Sequence, residues 1–290
     1  MRMRVYQQYI RYITPAYDTP QNSSVSSSQT CGQSRNLSPA RILGGDTVSY
    51  GQYPWTAILS ISGAQDTMCT GSLVSQQHVL TAGHCVQVKG VQVEVVLGEL
   101  DFMNRLEGQE ILQFTAVKIF LHPDYRGSVG VSDQAPRYDL AILLLDRPVQ
   151  SSVIIPVCLP PPDMVIRQGT MATVAGWGRT SSFTTSSSTT SSSSLQAAQV
   201  MVLTREECVN QPGSSPPLND QLCAGVSGAR QGPCPGDSGG PLLVPGQGGG
   251  DDWVVVGVVS HGPQVCGLTP VIYSSVSHSR GWIDSVINQP

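Results

Sequence analysis

Short apolar segments separated by turn residues run through most of this sequence, and they constrain the fold more than any other feature. Within the segments, apolar residues alternate with polar ones or form brief continuous runs, and Gly, Pro, Ser and Asn lie between them. Many short strands with such turn signals are typical of an all-β barrel or sandwich. The predicted strands cover residues 56–61, 71–81, 92–100, 113–122, 139–145, 171–177, 195–203, 240–244, 253–260 and 271–276. Only the tail, where Trp282, Ile283, Val286 and Ile287 follow helical spacing, is predicted to be a helix.

Composition argues against two classes of function. Charged residues make up 12% of the 290 residues and the formal net charge is -4, so the sequence predicts no basic surface for nucleic acid. No apolar run approaches the roughly 18 residues that cross a bilayer. We therefore expect neither a nucleic-acid partner nor a membrane span.

The cysteines indicate where the protein works. The chain has eight cysteines and no Cys-x-x-Cys pair, which favours disulfides formed in an oxidising compartment over a zinc site. Eight cysteines allow about 105 pairings, so their number alone does not choose among them. We expect a secreted, extracellular protein. Residues 1–13, however, are rich in arginine and lack the apolar core of a signal peptide, so we expect the N-terminus of this sequence to be incomplete or misassigned.

Three short stretches supply residues for nucleophilic chemistry. Residues 236–241 read Gly-Asp-Ser-Gly-Gly-Pro, which places a serine between glycines with an acid directly before it. A serine nucleophile needs a nearby base and donors for the oxyanion that forms. Residues 81–85, Thr-Ala-Gly-His-Cys, provide His84, and residues 138–143, Tyr-Asp-Leu-Ala-Ile-Leu, provide Asp139 at the head of an apolar strand.

In the order His84, Asp139, Ser238, these motifs resemble the trypsin and chymotrypsin type of serine endopeptidase, over about residues 41–282. The resemblance implies two six-stranded antiparallel β-barrels, an active site in the cleft between them and a C-terminal helix. It implies that His84 acts as base and acid, that Asp139 fixes the imidazole, and that Ser238 forms an acyl-enzyme. The backbone amides of Gly236 and Ser238 would form the oxyanion hole.

The pair Arg41-Ile42, followed by Leu-Gly-Gly, resembles the activation site of this family. Cutting after Arg41 would free the ammonium of Ile42 to pair with Asp237, whose unpaired buried charge would otherwise cost several kcal/mol by rough estimate. We therefore expect a zymogen. Residues 1–41 would be a disordered N-terminal arm or propeptide, and residues 42–290 the catalytic domain.

The resemblance also implies a disulfide pairing that leaves no cysteine over. The implied pairs are Cys69 with Cys85, Cys208 with Cys223, Cys234 with Cys266, and Cys31 with Cys158. The bond at Cys31 would keep the arm attached after cleavage.

Substrate-binding positions implied by the resemblance depart from the trypsin pattern. Gly232 stands where trypsin-like members have the aspartate that pairs with Arg or Lys, so a substrate cation would enter without a counter-charge. Gly262 leaves the pocket mouth open, but Val271 stands where many relatives have glycine. Small or aliphatic P1 residues are therefore predicted. Ser260 matches the serine that supports the triad acid, and His261 replaces the tryptophan that usually forms one face of the cleft.

A loop containing Glu99, Glu107 and Glu110 resembles the carboxylate loop with which several relatives hold calcium. One extra residue inside the loop favours an ordinary solvated acidic loop instead. We expect no cofactor and no catalytic metal, with a structural calcium at this loop as the alternative.

Two rival functions fit part of the sequence. The serine motif also satisfies the nucleophile elbow of α/β-hydrolases, but that fold needs a helix after the serine, and residues 242–244 continue as a strand. A non-catalytic homologue that acts as a binding or cascade cofactor is the other alternative, although such proteins usually lack a triad residue. The expected partners are a protein or peptide substrate, an activating protease and a proteinaceous inhibitor.

Overall fold

The structure is a computed structural model. It describes residues 31–34, 46–63, 67–104, 106, 108–127, 136–162, 164–178, 192–210, 217–225, 232–246, 252–262 and 269–289. Antiparallel strands dominate these ranges, as the short apolar segments predict.

Six strands close the first barrel. They are β2 (Thr56–Ser62), β3 (Thr67–Leu73), β4 (His78–Thr81), β5 (Gln92–Leu97), β6 (Leu112–Leu121) and β7 (Ala141–Leu145). Their order around the barrel is β2-β3-β4-β7-β6-β5. Leu59, Leu80 and Leu143 are fully buried within it, because alternate positions of each strand face the barrel interior.

Six more strands form the second barrel. They are β8 (Met171–Gly176), β9 (Gln196–Val202), β10 (Gln221–Gly225), β11 (Pro241–Pro245), β12 (Trp253–His261) and β13 (Val271–Ser275). Strand β8 pairs with both β9 and β11, and this closes the ring. A short strand β1 (Asp46–Thr47) pairs with β9 as well. The predicted fold class, two six-stranded antiparallel barrels, is confirmed.

The two barrels share one hydrophobic core cluster. It contains Leu59 and Leu143 of the first barrel together with Leu243, Val255 and Val258 of the second. Continuous apolar packing of this kind fixes the barrels against each other, and residues contributed by both barrels can therefore meet with little freedom.

Three helices lie in the described ranges: α1 (Gly83–Val86), α2 (Arg205–Val209) and α3 (Arg280–Ile287). The tail helix α3 was predicted. The expectation that the tail is the only helix is wrong, because α1 and α2 are about one turn long and too short for a periodic pattern. Helix α2 did carry a local signal: Thr204 and Glu207 form a capping box, each bonding the other's backbone amide.

One predicted strand must be divided, and one strand was not predicted. The segment 71–81 was predicted as one strand, yet it divides into β3 and β4, because the polar residues between them turn the chain back. In that turn Val74 N–H donates to His78 O at 2.9 Å and Gln77 N–H donates to Ser75 Oγ at 3.2 Å. Strand β10 was missed, since its short sequence Gln-Leu-Cys-Ala-Gly contains no clear alternation.

Disulfides join Cys31 to Cys158, Cys69 to Cys85, and Cys208 to Cys223, as the resemblance implied. Cys234 is also disulfide-bonded. Its predicted partner, Cys266, lies outside the described residues.

The start of the described chain is fastened to the second barrel. Besides the Cys31 disulfide, Gly32 N–H donates to Pro156 O at 2.8 Å and Trp253 N–H donates to Gly32 O at 2.8 Å. The rest of the predicted arm, including Arg41, lies outside the described residues, as does Ile42. Among the helices of the described part, none is both long and apolar enough to cross a membrane.

Candidate active site

His84 and Asp139 are joined by two hydrogen bonds. His84 lies in α1, directly after β4, and its Nδ1 is 2.7 Å from Asp139 Oδ2. The backbone N–H of His84 donates to Asp139 Oδ1 at 2.8 Å. The Asp139 side chain is fully buried, whereas the His84 side chain is 29% exposed. The imidazole is therefore held on its Nδ1 side and open to solvent elsewhere, as a proton-transfer group requires.

A strained turn presents Asp139 at the head of β7. Tyr138 has φ 46° and is the only non-glycine residue of the described chain with positive φ. Such a conformation is uncommon for a bulky residue and persists only where its surroundings hold it. Here Tyr138 N–H donates to Asp220 Oδ2 at 2.8 Å, and Ser274 Oγ donates to Asp139 O at 3.1 Å.

Ser260 adds a third donor to the Asp139 carboxylate. Its Oγ lies 2.6 Å from Asp139 Oδ2, and both residues are buried. The role predicted for Ser260, support of the acid, therefore agrees with the geometry.

Ser238 lies in a tight turn between the barrels. Gly236 and Gly239 flank it with φ values of 107° and 82°, which L side chains rarely adopt. Thr70 of β3 holds this turn from the first barrel: its N–H donates to Ser238 O at 2.8 Å, and its Oγ1 donates to Gly236 O at 3.2 Å. The turn that carries Ser238 belongs to the second barrel but is positioned by the first.

The Ser238 turn packs against the segment that carries His84. A Cβ on Gly239 would collide with Thr81 Oγ1. Cys85 Sγ lies 3.8 Å from both His84 Nε2 and Ser238 O. The side chains of His84 and Ser238 both lie within the described residues. No hydrogen bond joins Ser238 Oγ to His84 Nε2 there. Contacts of this kind are often long without substrate and shorten when it binds.

Two backbone amides in the Ser238 turn lack an acceptor in the part of the chain that the structure describes. In this turn Asp237 N–H donates to Cys234 O at 2.9 Å, and Gly240 N–H donates to Asp237 O at 2.8 Å. Among the described residues, the N–H groups of Gly236 and Ser238 make no such bond. Two unused donors next to a serine hydroxyl form a suitable site for an oxyanion.

Burial shifts the pKa of His84 and of Asp139 in one direction, and the hydrogen bond and charge between the two residues shift each pKa in the other. Burial lowers the pKa of His84, but the hydrogen bond and negative charge of Asp139 raise it by more, so it lies above 6.5. Burial raises the pKa of Asp139, but the hydrogen bond and charge of His84, with the Ser260 hydrogen bond, hold it below its ordinary value. A neutral or cationic imidazole therefore faces an ionised carboxylate near neutral pH.

Within the described ranges, the Asp237 carboxylate has backbone partners only. Its Oδ1 accepts from Gly178 N–H at 2.7 Å and its Oδ2 from Cys234 N–H at 2.9 Å. No cationic side chain of the described residues pairs with it. Burial therefore raises its pKa to about 6, although these two hydrogen bonds lower it.

Two of the predicted S1 residues, Gly262 and Val271, lie next to each other. The Val271 side chain is 6% exposed, and a methyl group placed on Gly262 would lie 2.9 Å from Val271 Cγ2. Val271 therefore fills the space directly beside Gly262. Gly232 has φ 152°, which favours glycine.

No metal site emerges from the described residues. The one cluster of close potential ligands is Cys69, His84 and Cys85, but the two cysteines form a disulfide and offer no thiolate. In the predicted calcium loop, Glu110 Oε2 accepts from Ser151 Oγ at 2.5 Å. Glu99 is 3% exposed, and Glu107 lies outside the described residues. Calcium binding at this loop stays an untested alternative to the predicted absence of a metal.

Sequence reasoning missed two positioning residues, Thr70 and Asp220. Both act through backbone groups of the catalytic segments rather than through the candidate side chains. The sequence offered no signal for Asp220, because strand β10 after it was not predicted and its burial, at 2% exposed, appears only in the structure.

Comparison with known proteins agrees with the fold. The profile of the Trypsin family matches residues 42–283. Phenoloxidase-activating factor 3 of Holotrichia diomphalia is 32% identical over 284 residues, covering 90% of this chain and 76% of that protein. Venom serine protease Bi-VSP of Bombus ignitus is 32% identical over 262 residues, covering 85% and 68% respectively.

A further relative is much longer than this chain. Serine protease filzig of Drosophila melanogaster is 30% identical over 278 residues, which are 92% of this chain but 16% of filzig. The match thus concerns one part of filzig. Given the family match over most of its length and the two-barrel fold, this chain belongs to the trypsin family of serine proteases.

Proposed function

We propose that this chain is a serine endopeptidase that hydrolyses peptide bonds through an acyl-enzyme on Ser238. One observation carries the proposal: His84 is bonded through Nδ1 to the buried Asp139, and Cys85 Sγ lies 3.8 Å from both His84 Nε2 and the backbone oxygen of Ser238. The unused amides of Gly236 and Ser238 supply the oxyanion donors.

In the proposed reaction, Ser238 Oγ attacks the carbonyl carbon of the scissile bond while its proton passes to His84 Nε2. The oxyanion that forms accepts hydrogen bonds from Gly236 N–H and Ser238 N–H. The C–N bond then breaks, and the amine leaves with the proton from His84. Water hydrolyses the acyl ester in the same way, with His84 again taking and returning a proton. Asp139 keeps the proton on Nδ1 and stabilises the imidazolium.

We also propose that the uncut chain is a zymogen. Support comes from Asp237, which has two backbone donors and a pKa raised to about 6. Cleavage after Arg41 by an activating protease would supply the ammonium of Ile42 as its counter-charge. The Cys31–Cys158 disulfide would then keep the arm attached.

The zymogen proposal has a direct test. The uncut chain should have almost no activity on peptide esters, and Arg41→Gln should keep it so after treatment with a trypsin-like activator. Equal turnover by the uncut and cut chains would contradict the proposal.

For specificity, we propose small or aliphatic P1 residues. Val271 fills the space beside Gly262, which shortens the slot, and Gly232 offers no counter-charge for Arg or Lys. A secreted location and a protein or peptide substrate are proposed as well. The three disulfides support the secreted location. Relatives named as serine proteases support the protein or peptide substrate.

Labelling with a serine-directed fluorophosphonate tests the catalytic proposal. After controlled cleavage at Arg41, the wild-type chain should take the label on Ser238, and Ser238→Ala should not. If the cleaved wild type takes no label and hydrolyses no ester, the chain is instead a non-catalytic homologue that acts as a binding or cascade cofactor.

A further inference from the structure

A β-bulge near the end of β12 brings the side chains of two neighbouring residues, Ser260 and His261, within hydrogen-bond distance of each other. Val259 pairs with Tyr273 and His261 pairs with Ile272, so Ser260 is an extra residue without its own partner on β13. In a regular strand, successive side chains point to opposite faces of the sheet. A bulge interrupts this alternation and redirects side chains. Here it places His261 within hydrogen-bond distance of the Ser260 hydroxyl.

The contacts of Ser260 fix the direction of each hydrogen bond. Its Oγ is 2.6 Å from Asp139 Oδ2 and 3.2 Å from His261 Nδ1. An ionised carboxylate only accepts, so the single hydroxyl proton of Ser260 goes to Asp139. Toward His261 the hydroxyl oxygen can then only accept. The proton of a neutral His261 therefore lies on Nδ1, and Nε2 carries the lone pair.

The surroundings of His261 favour this neutral tautomer. Its Nε2 is shielded from solvent and has no hydrogen-bond partner among the described residues. Burial lowers the pKa of His261, the charge of Asp139 raises it and the charge of His84 lowers it, with a net decrease. Asp139 and His84 are the charged groups that face it. At neutral pH the ring therefore bears one proton and donates it to Ser260.

We propose that His261 is a positioning residue that acts on Asp139 through Ser260. Its Nδ1–H holds the Ser260 hydroxyl in the orientation that donates to Asp139 Oδ2, and hydrogen bonds in such a chain strengthen one another. The resulting relay runs from His261 through Ser260 and Asp139 to His84. This inference rests on the proposed function, because a relay to His84 affects turnover only if His84 is the base.

The relay makes a prediction that a substrate-contact role for His261 does not. A residue that orients Asp139 should change kcat, even for a short ester that reaches no further than the P1 pocket. A residue that only contacts the extended substrate should change KM for long peptides and leave the short ester unaffected. The distinction requires variants that separate the donor from the bulk of the ring.

Three substitutions make that separation. His261→Phe keeps an aromatic ring and removes the donor, His261→Asn places an amide donor near the position of Nδ1, and His261→Gln places it near Nε2 instead. On the activated chain with a short peptide ester, the Phe and Gln variants should lose kcat by about three- to tenfold, the value of one net hydrogen bond. KM should be unchanged, and the Asn variant should retain the wild-type kcat.

A second measurement needs no turnover. The proton on His84 Nδ1, in its 2.7 Å contact with Asp139, should resonate at low field in a 1H NMR spectrum. Recorded in a Ser238→Ala background, this resonance should shift in His261→Phe and His261→Gln and keep its position in His261→Asn. An unshifted resonance in all three variants would overturn the relay.

The two measurements distinguish failure of the relay from failure of the proposed function. If wild type takes the fluorophosphonate label but all three variants share its kcat, or change KM alone, the relay is wrong and the protease assignment stands. If wild type shows no labelling or turnover, the protease assignment fails, and the resonance still decides whether His261 acts on Asp139.

Discussion

The carboxylate of Asp220 accepts a hydrogen bond from the backbone N–H of Tyr138 at 2.8 Å, and so holds the residue directly before Asp139. Asp220 precedes β10 of the second barrel, whereas Asp139 lies just before β7 of the first. Arg137 Nη2 lies 3.3 Å from the other carboxylate oxygen of Asp220. The position of the candidate acid thus depends on a contact between barrels that involves no catalytic side chain.

Asp220→Ala should therefore impair both stability and turnover. It leaves Tyr138 N–H without an acceptor, which should cost about 1–3 kcal/mol of unfolding free energy. Displacement of Asp139 should lower kcat/KM by roughly 10- to 100-fold. Urea unfolding and ester hydrolysis measure the two effects.

Arg137→Gln is the matched control for Asp220→Ala. The Arg137 side chain is 48% exposed, and exposed ion pairs contribute about 0–1 kcal/mol. Its stability and activity should stay near those of wild type. Equal losses in Asp220→Ala and Arg137→Gln would show that the ion pair, not the backbone hydrogen bond, holds the turn.

Ser238→Ala and His84→Ala should each lower kcat of the activated chain by roughly 10⁵- to 10⁶-fold. Neither side chain supports the core, so the melting temperature should change little. Because residues that act as a unit are not additive, the double variant should be no slower than either single one. Undiminished hydrolysis by purified Ser238→Ala would contradict the assignment of the nucleophile.

The pH dependence of kcat/KM should report the raised pKa of His84. The base must be neutral, so activity should fall as pH decreases through a pKa above 6.5. Asp139→Asn removes the charge that raises this pKa, so the acid limb should move to lower pH. The same variant should lose about 10⁴-fold in kcat, because the imidazole is held in the wrong tautomer. An acid limb at the same pH in both proteins would mean that another group controls activity.

Sequence patterns predicted the strands well because strand burial leaves a local signature. The alternation in β5 and the apolar run of β7 each reflect which face lines the barrel. The motif around Ser238 was equally visible, since Gly236 and Gly239 in that turn adopt positive φ. The division of 71–81 into β3 and β4 was not predicted, because a turn of Ser and Gln residues carries neither glycine nor proline.

The contacts between barrels could not be predicted in the same way. Thr70 and Asp220 each bond a backbone group from the other barrel, and neither residue type marks such a role in the sequence. Likewise, the distance between His261 and Ser260 depends on a bulge in β12, and a bulge adds one residue without a compositional signal. These features depend on pairing across the fold.

The uncut chain should lose stability as pH rises, relative to Asp237→Asn. The folded-state pKa of Asp237 is raised to about 6 from 3.8, so its contribution to stability is fully present below the unfolded value and is lost as pH rises through the folded one. The total loss should be on the order of 2–3 kcal/mol. Urea unfolding from pH 4 to pH 7 of both chains, in the Arg41→Gln background, measures it.

Cleavage should reverse this dependence. Once the Ile42 ammonium pairs with the carboxylate, the folded-state pKa of Asp237 should fall below 3.8, and stability should then be lost only as pH falls toward that lower value. Parallel pH curves for wild type and Asp237→Asn, before and after cleavage, would exclude Asp237 as the group that responds to activation.

Val271→Gly should widen the P1 preference of the activated chain toward Phe and Tyr. The wild-type side chain is 6% exposed, and its Cγ2 would lie 2.9 Å from a methyl group on Gly262, so it occupies space that a larger P1 side chain needs. Each methylene of pocket volume is worth roughly 10-fold or more in selectivity. The ratio of kcat/KM for Phe over Leu should therefore rise in Val271→Gly, with Val271→Ala between it and wild type. A P1-varied peptide library measures all three proteins. If the wild-type chain cleaves after Arg or Lys, the prediction that Gly232 excludes basic P1 residues is wrong. If the wild type already prefers Phe, Val271 does not shorten the pocket.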